Sequence, residues 1–79
     1  MAEHVLYYKK LCPYCVKVLR MMEKNNLDFE KRNIDTNPEY REELERVGGS
    51  AQVPCLFIDG KPMYESADII EYLKENLVK

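Results

Sequence analysis

Apolar residues return along this chain with two different periods, and the switches between them lay out its elements. "HVLYY", His4 to Tyr8, is a short apolar and aromatic run of the kind that fills a buried strand. From Pro13 onward Cys15, Val18, Leu19 and Met22 recur at helical spacing, while Lys17, Arg20, Glu23 and Lys24 fall largely on the opposite face. This helix is expected to run to about Asn26. "FEKRNI", Phe29 to Ile34, alternates weakly and is heavily charged, which suits an edge strand. A second helix opens at "TNPE", where Thr36 or Asn37 can cap, Pro38 suits the first turn, and Glu39 stands three residues after Thr36 as in a capping box. Tyr40, Leu44 and Val47 form its apolar stripe, and Gly48-Gly49 ends it.

"VPCLFIDGKPMY" predicts a strand from Cys55 to Ile58, an Asp59-Gly60 hairpin turn and a short partner strand. Pro62 lacks a backbone donor, so the partner belongs at the sheet edge. A last helix is expected to start near Ser66, a good cap residue, with Asp68 complementing the helix dipole and Ile69, Ile70, Leu73 and Leu77 as its buried stripe. The order strand, helix, strand, helix, strand, strand, helix (βαβαββα) predicts an α/β domain of two or three layers around one mixed sheet. The first two strands must be parallel, because a right-handed helical crossover joins them.

With 79 residues the chain can build one small core, and a single domain over 1–79 is expected. Its 46% hydrophobic and 33% charged residues, with both signs mixed, belong to a soluble globular protein and not to a disordered or membrane one. A net charge of -2 argues against nucleic acid, which calls for a clustered basic excess. The first ten residues show no basic leader followed by an apolar run, and no window approaches the roughly 18 apolar residues of a membrane span, so a cytoplasmic location and no membrane partner are expected. The 3 cysteines are odd in number and too few for a secreted disulfide scaffold, which leaves metal binding or redox chemistry for the close pair.

That pair lies in "KKLCPYCVKV". Cys12 sits at the predicted helix cap and faces the unpaired amides of the first turn, whose partial positive charge favours thiolate over thiol. Lys9 and Lys10 before it, and Lys17 one turn beyond, add positive potential. An ordinary thiol near pKa 8.5 is only about 3% ionised at pH 7, whereas thiols in such motifs fall at about 3.5 to 7.5. Cys12 is the predicted nucleophile. Cys15, nearly one turn on and on the apolar face, is the predicted resolving thiol, shielded and protonated.

Other readings of the same residues stand beside these. A structural zinc site usually takes four ligands, and beyond the pair only Cys55 and His4 remain, so no metal site is expected. An inert disulfide across two residues would constrain the unfolded chain very little. Lys9 and Lys10 could be an ordinary solvated pair; Lys9 is taken as a ligand residue and Lys10 as solvent-facing. Tyr14 either contacts a ligand or simply covers the dithiol. Cys55 reads as a small buried strand residue, or, if it lies near Cys12, as a third thiol that tunes the pair. His4 and Met21-Met22 read as packing or surface, and "NPEYREELER" as a solvated helix face.

The whole chain resembles the glutaredoxins, through "CPYC", the lysine three before the first cysteine, Val53-Pro54, and "LFIDG" in the hairpin. The resemblance implies the thioredoxin fold, a four-stranded mixed sheet in the order 2-1-3-4 flanked by helices, and a cis peptide before Pro54 that packs against the redox pair. It also implies glutathione lying extended across the dithiol, with Lys9 at its glycine carboxylate, Tyr14 flanking the site and the Val53 backbone pairing with its cysteinyl unit. Free amides at Ser66-Ala67 would take the γ-glutamyl carboxylate, because a helix N-terminus is an anion site. Two departures stand out: Gln52 where many dithiol glutaredoxins carry Thr, and "YESAD" where many carry Gly-Gly-x-Asp-Asp. Glu65-Ser66 followed by "ADIIEYL" is more similar to the glutathione-binding edge of the glutathione transferase N-terminal domain.

The expected function is therefore glutathione-dependent thiol-disulfide exchange through Cys12 and Cys15, acting as a monomer on disulfide-bearing or glutathionylated proteins, with glutathione as co-substrate and no tightly bound cofactor. The alternatives are a glutaredoxin-like redoxin reduced by thioredoxin reductase and a glutathione-ligated iron-sulfur carrier, which the Pro13-Tyr14 middle disfavours.

Overall fold

His4–Tyr8 forms β1, the strand around which everything else is arranged. Successive side chains of a strand point to opposite faces, so Leu6 and Tyr7, both buried, start two separate cores. A computed structural model describes residues 3–78; residues 1, 2 and 79 of the expected domain lie outside the described residues. The remaining elements are α1 (Pro13–Lys24), β2 (Glu30–Asn33), α2 (Pro38–Gly48), β3 (Cys55–Ile58), β4 (Lys61–Met63) and α3 (Ser66–Asn76). The sheet runs β2-β1-β3-β4, with β1 parallel to β2 and antiparallel to β3, as the element order requires. Opposite Leu6 stands Leu56, and opposite Tyr7 stands Cys55.

Leu6 and Leu56 pack with Val18, Met21 and Met22 of α1 and Ile69 and Leu73 of α3. Tyr7, Cys55 and Phe57 pack on the other face with Ile34 and Leu44 of α2. The architecture is thus three layers, with α1 and α3 on one face and α2 on the other. It is the thioredoxin fold. Met21-Met22 turns out to be core packing. His4 is also structural: its ring lies 5.5 Å from Phe29 and 5.6 Å from Tyr72, and its Nε2 is 2.9 Å from the Tyr72 hydroxyl.

Leu44 is the buried residue of α2, so a polar cluster shares the work of docking this helix. Arg32 on the edge strand reaches Glu30 and Glu43, donates to the Tyr7 hydroxyl at 2.8 Å, and lies over the rings of Tyr7 and Tyr40 at 5.6 and 5.4 Å. The Tyr7 hydroxyl in turn donates to Glu43. Planar guanidinium groups suit such combined stacking and forked hydrogen bonding.

Several boundaries and faces differ from those predicted. α1 stops at Lys24, because the Asn25 amide side chain donates to the Met21 carbonyl at 2.8 Å and Asn26 takes a left-handed φ of 55°. β2 is shorter than Phe29–Ile34 by one residue at each end. Asn37, not Thr36, caps α2 by accepting from the Glu39 amide at 3.1 Å, so no capping box forms. Val47 is 51% exposed: one helical turn past Leu44 it is Gly48, not Val47, that faces the sheet, with Phe57 and Tyr64 against it. Glu65 is the cap residue of α3 and Ser66 its first helical residue, with no side-chain cap hydrogen bond. Glu65 is the last extended residue, so the turn into helix comes one residue earlier than a cap at Ser66 would place it. Asp59 and Gly60 both have positive φ (51° and 84°), the two-residue turn that matches the twist of antiparallel strands.

Candidate active site

Cys12 is the extended cap residue of α1, and Pro13 opens the helix with the φ it needs and no donor to leave unpaired. Placed there, the Cys12 sulfur is approached by the amides of Tyr14 and Cys15. Burial is the largest single influence on Cys12 and raises its pKa, but the Cys15 amide and thiol, the Tyr14 amide and the Lys9 ammonium all pull the other way and carry it below its ordinary value. Its Sγ also lies 3.9 Å from the Val53 carbonyl. Of the three lysines near the pair, Lys9 is the one that acts on Cys12; Lys10 is exposed, and the Lys17 ammonium sits over the Tyr14 ring at 5.6 Å.

Cys15 is fully buried, beneath Cys12, and its sulfur accepts from the Lys9 amide at 3.4 Å. Burial pushes its pKa up to about 12, helped by the neighbouring Cys12 and opposed by Lys9. Both thiols are free, as in a reduced dithiol. Two cysteines one turn apart are thus driven in opposite directions, the outer toward the anion and the inner away from it. The third, Cys55, belongs to the α2-side core, across the sheet from α1. Burial holds it at about 11, against the Met63 amide and the Tyr64 hydroxyl, and it serves as a small packing residue.

A groove of about 600 Å³ opens at Cys12. Of the residues singled out from sequence, Lys9, Cys12, Tyr14, Val53, Pro54, Glu65 and Ser66 line it. Ala67 is exposed and lies outside that lining. The Val53-Pro54 peptide is cis, as the resemblance implied, and Pro54 is buried. Because Glu65 caps α3, the amides of Ser66, Ala67 and Asp68 begin the helix and have no partners within it. Both a cation, Lys9, and the mouth of α3 therefore border the groove. Ala51 and Tyr64 also line it and were not picked out from sequence, and Gln52 was noted only as a departure. Tyr64 had a signal of sorts, an aromatic residue between the last strand and the mouth of the last helix. Among the described residues no three His, Cys, Asp or Glu side chains converge as metal ligands would.

A model of the glutaredoxin family matches residues 5–63, a span that contains both Cys12 and Cys15, cis-Pro54 and the hairpin. The chain belongs to the glutaredoxin family. This glutaredoxin is 37% identical over 54 residues to a glutaredoxin of Pseudomonas aeruginosa, a match covering 68% of this chain and 64% of that one, a little under two thirds of its length. It is 34% identical over 61 residues to glutaredoxin 3 of Escherichia coli, over 77% of this chain and 74% of that one. Among solved structures, glutathione transferase Omega 3C from Trametes versicolor superposes with a TM-score of 0.77 at 25% identity, over 92% of this chain but 33% of the transferase. That likeness agrees with the transferase-like edge read from Glu65-Ser66. Membership of the family supports a thiol-disulfide oxidoreductase. No helix among the described residues is long and apolar enough to cross a membrane.

Proposed function

We propose that this glutaredoxin is a glutathione-dependent thiol-disulfide oxidoreductase in which Cys12 is the nucleophile and Cys15 the resolving thiol. The observation that carries it is the pair of opposite pKa shifts on two thiols one turn apart, with the lowered one opening into the groove. Nucleophilic attack needs the thiolate, and the thiol with the lower pKa also leaves more readily.

The Cys12 thiolate attacks the glutathione-side sulfur of a mixed disulfide, forming a Cys12–glutathione disulfide while the substrate leaves as a thiolate and takes a proton. The adduct is resolved in one of two ways. A second glutathione thiolate attacks the bound glutathione sulfur, releasing oxidised glutathione and restoring the Cys12 thiolate. Alternatively Cys15 loses its proton and attacks the Cys12 sulfur, expelling glutathione and leaving a Cys12–Cys15 disulfide that two further glutathiones reduce. A protein disulfide enters by the same first attack, with one protein thiolate leaving.

The charge layout of the groove supports glutathione as co-substrate. Lys9 suits its glycine carboxylate, the Val53 backbone its cysteinyl unit, and the helix mouth at Ser66-Ala67 its γ-glutamyl carboxylate, with Glu65 beside the γ-glutamyl ammonium and Tyr14 and Pro54 flanking the sulfur. No step needs a metal or an organic cofactor.

The test is reduction of a small glutathione mixed disulfide with glutathione reductase recycling the product. Turnover lost in Cys12→Ser and retained in Cys15→Ser is the expected pattern. Turnover with thioredoxin reductase as donor, and none with glutathione, overturns the proposal.

A further inference from the structure

Tyr64 lines the groove, yet its hydroxyl is committed elsewhere, donating to the Ser50 carbonyl at 3.1 Å. Ser50 belongs to the connection between α2 and β3, the segment that carries Val53 and cis-Pro54 to Cys12. Outside the helices and strand ladders, and among the described residues, residues 50–54 are held by that bond and by the long 3.9 Å contact from the Cys12 sulfur to the Val53 carbonyl. Tyr64 thus supplies the stronger polar tie of the whole segment. Its own backbone runs directly into Glu65 and Ser66, so one residue joins the two walls of the groove.

Gly48 makes this possible. A Cβ added there would run into the Tyr64 hydroxyl and sit 3.2 Å from Phe57 Cζ. Gly48 is the last helical residue of α2, so glycine is needed there for space and not for backbone conformation. The left-handed residue is the next one, Gly49, at φ 89°. The Tyr64 ring itself packs against the core that contains Cys55 and Phe57, which fixes where its hydroxyl can reach.

We infer that Tyr64 is a positioning residue for the reaction: through its bond to Ser50, in the space left by Gly48, it sets the separation of the Val53–Pro54 edge from the Glu65–Ser66 rim, and so the fit of an extended tripeptide between them. This rests on the glutathione reading above. The tie acts on the length of the groove, not on the helix mouth that lowers Cys12. Its loss should therefore weaken glutathione binding and leave the sulfur chemistry in place.

Two variants test it. Tyr64→Phe keeps the packed ring and removes the hydroxyl; Gly48→Ala keeps the hydroxyl and fills its place. In both, KM for the glutathione mixed disulfide is expected to rise about five- to tenfold while kcat changes much less, since small displacements of binding groups carry penalties of this order. Reduction of hydroxyethyl disulfide by dithiothreitol, with no glutathione present, and the alkylation rate of Cys12 should both be retained. A Tyr64→Phe KM within twofold of wild type overturns the inference, and so does an equal loss on the glutathione-free disulfide, which would mark a general structural effect. If Gly48→Ala does not fold, Tyr64→Phe decides alone. A wild-type protein that turns over no glutathione substrate removes the proposed function and this inference together, whereas an active wild type with an unaltered Tyr64→Phe removes only the inference.

Discussion

Resolution by Cys15 should be strongly pH-dependent, and the size of the effect follows from its burial. In the reduced protein burial is the main cause that pushes the Cys15 pKa up to about 12, with Cys12 adding to it. A thiol with that pKa is ionised to about one part in 10⁵ at pH 7, against about 3% for an ordinary one. When Cys12 is joined to glutathione its charge is gone, so that part of the rise disappears while burial remains. Closure must then run through a rare Cys15 thiolate, whose population rises tenfold per pH unit until the group titrates. The assay starts from the isolated Cys12–glutathione adduct with no free thiol, jumps the pH, and follows loss of the adduct by mass spectrometry after acid quench. The logarithm of the closure rate should climb with unit slope from pH 6 to pH 9 without levelling, and Cys15→Ser should keep the adduct throughout. Release by added glutathione, an ordinary solvated thiol, should level off near pH 8.5 to 9, so the two routes diverge above that point. A plateau for closure at or below about pH 8 would refute the reasoning, because Cys15 would then ionise as though it were not buried.

Burial raises the Cys12 pKa, and the Cys15 and Tyr14 groups lower it more than the Lys9 ammonium does, so Lys9→Met should have a limited effect. A partly exposed charge contact of about 0.5–1 kcal/mol corresponds to an alkylation rate lower by about two- to fivefold on the rising, low-pH limb of the rate profile, and an unchanged iodoacetamide profile would count against it. Cys55, held at about 11 by burial, keeps its proton in the folded state where the unfolded chain loses it. Its contribution to stability is whole below about pH 8.5 and is lost as pH rises toward its folded value, at about 1.4 kcal/mol per pH unit. Cys55→Ala should flatten the fall in urea-measured stability between pH 9 and 10.5 by that slope, and identical slopes in the two proteins would exclude this account.

Some of this molecule was determined by the local sequence. The element order and the apolar runs carried the mixed sheet and its parallel first pair, because strand and helix periods are properties of neighbouring residues. The placement of Cys12 at a helix mouth and of Cys15 on the buried face followed from Pro13 and the spacing of Val18 and Met22, and both are as predicted. Asp59-Gly60 specified its turn alone.

What lies between elements was decided by tertiary structure. Which of two adjacent residues caps a helix, Thr36 or Asn37 and Glu65 or Ser66, depends on where the incoming strand stops, since propensities of neighbours differ by less than the cost of moving a strand. Val47 gave its place on the sheet to Gly48 because Tyr64 and Phe57 fill that position from distant parts of the chain. Cys55 was assigned to packing by the sheet, which puts it on the far side from α1. The groove brings Lys9, Cys12 and Tyr14 to within one cavity of residues 51–54 and 64–66, about forty to fifty positions later in the sequence. Periodicity sees one face of one element at a time, and a cleft is made of edges from several, which is why the two sulfurs were legible in the sequence and the Tyr64 wall was not.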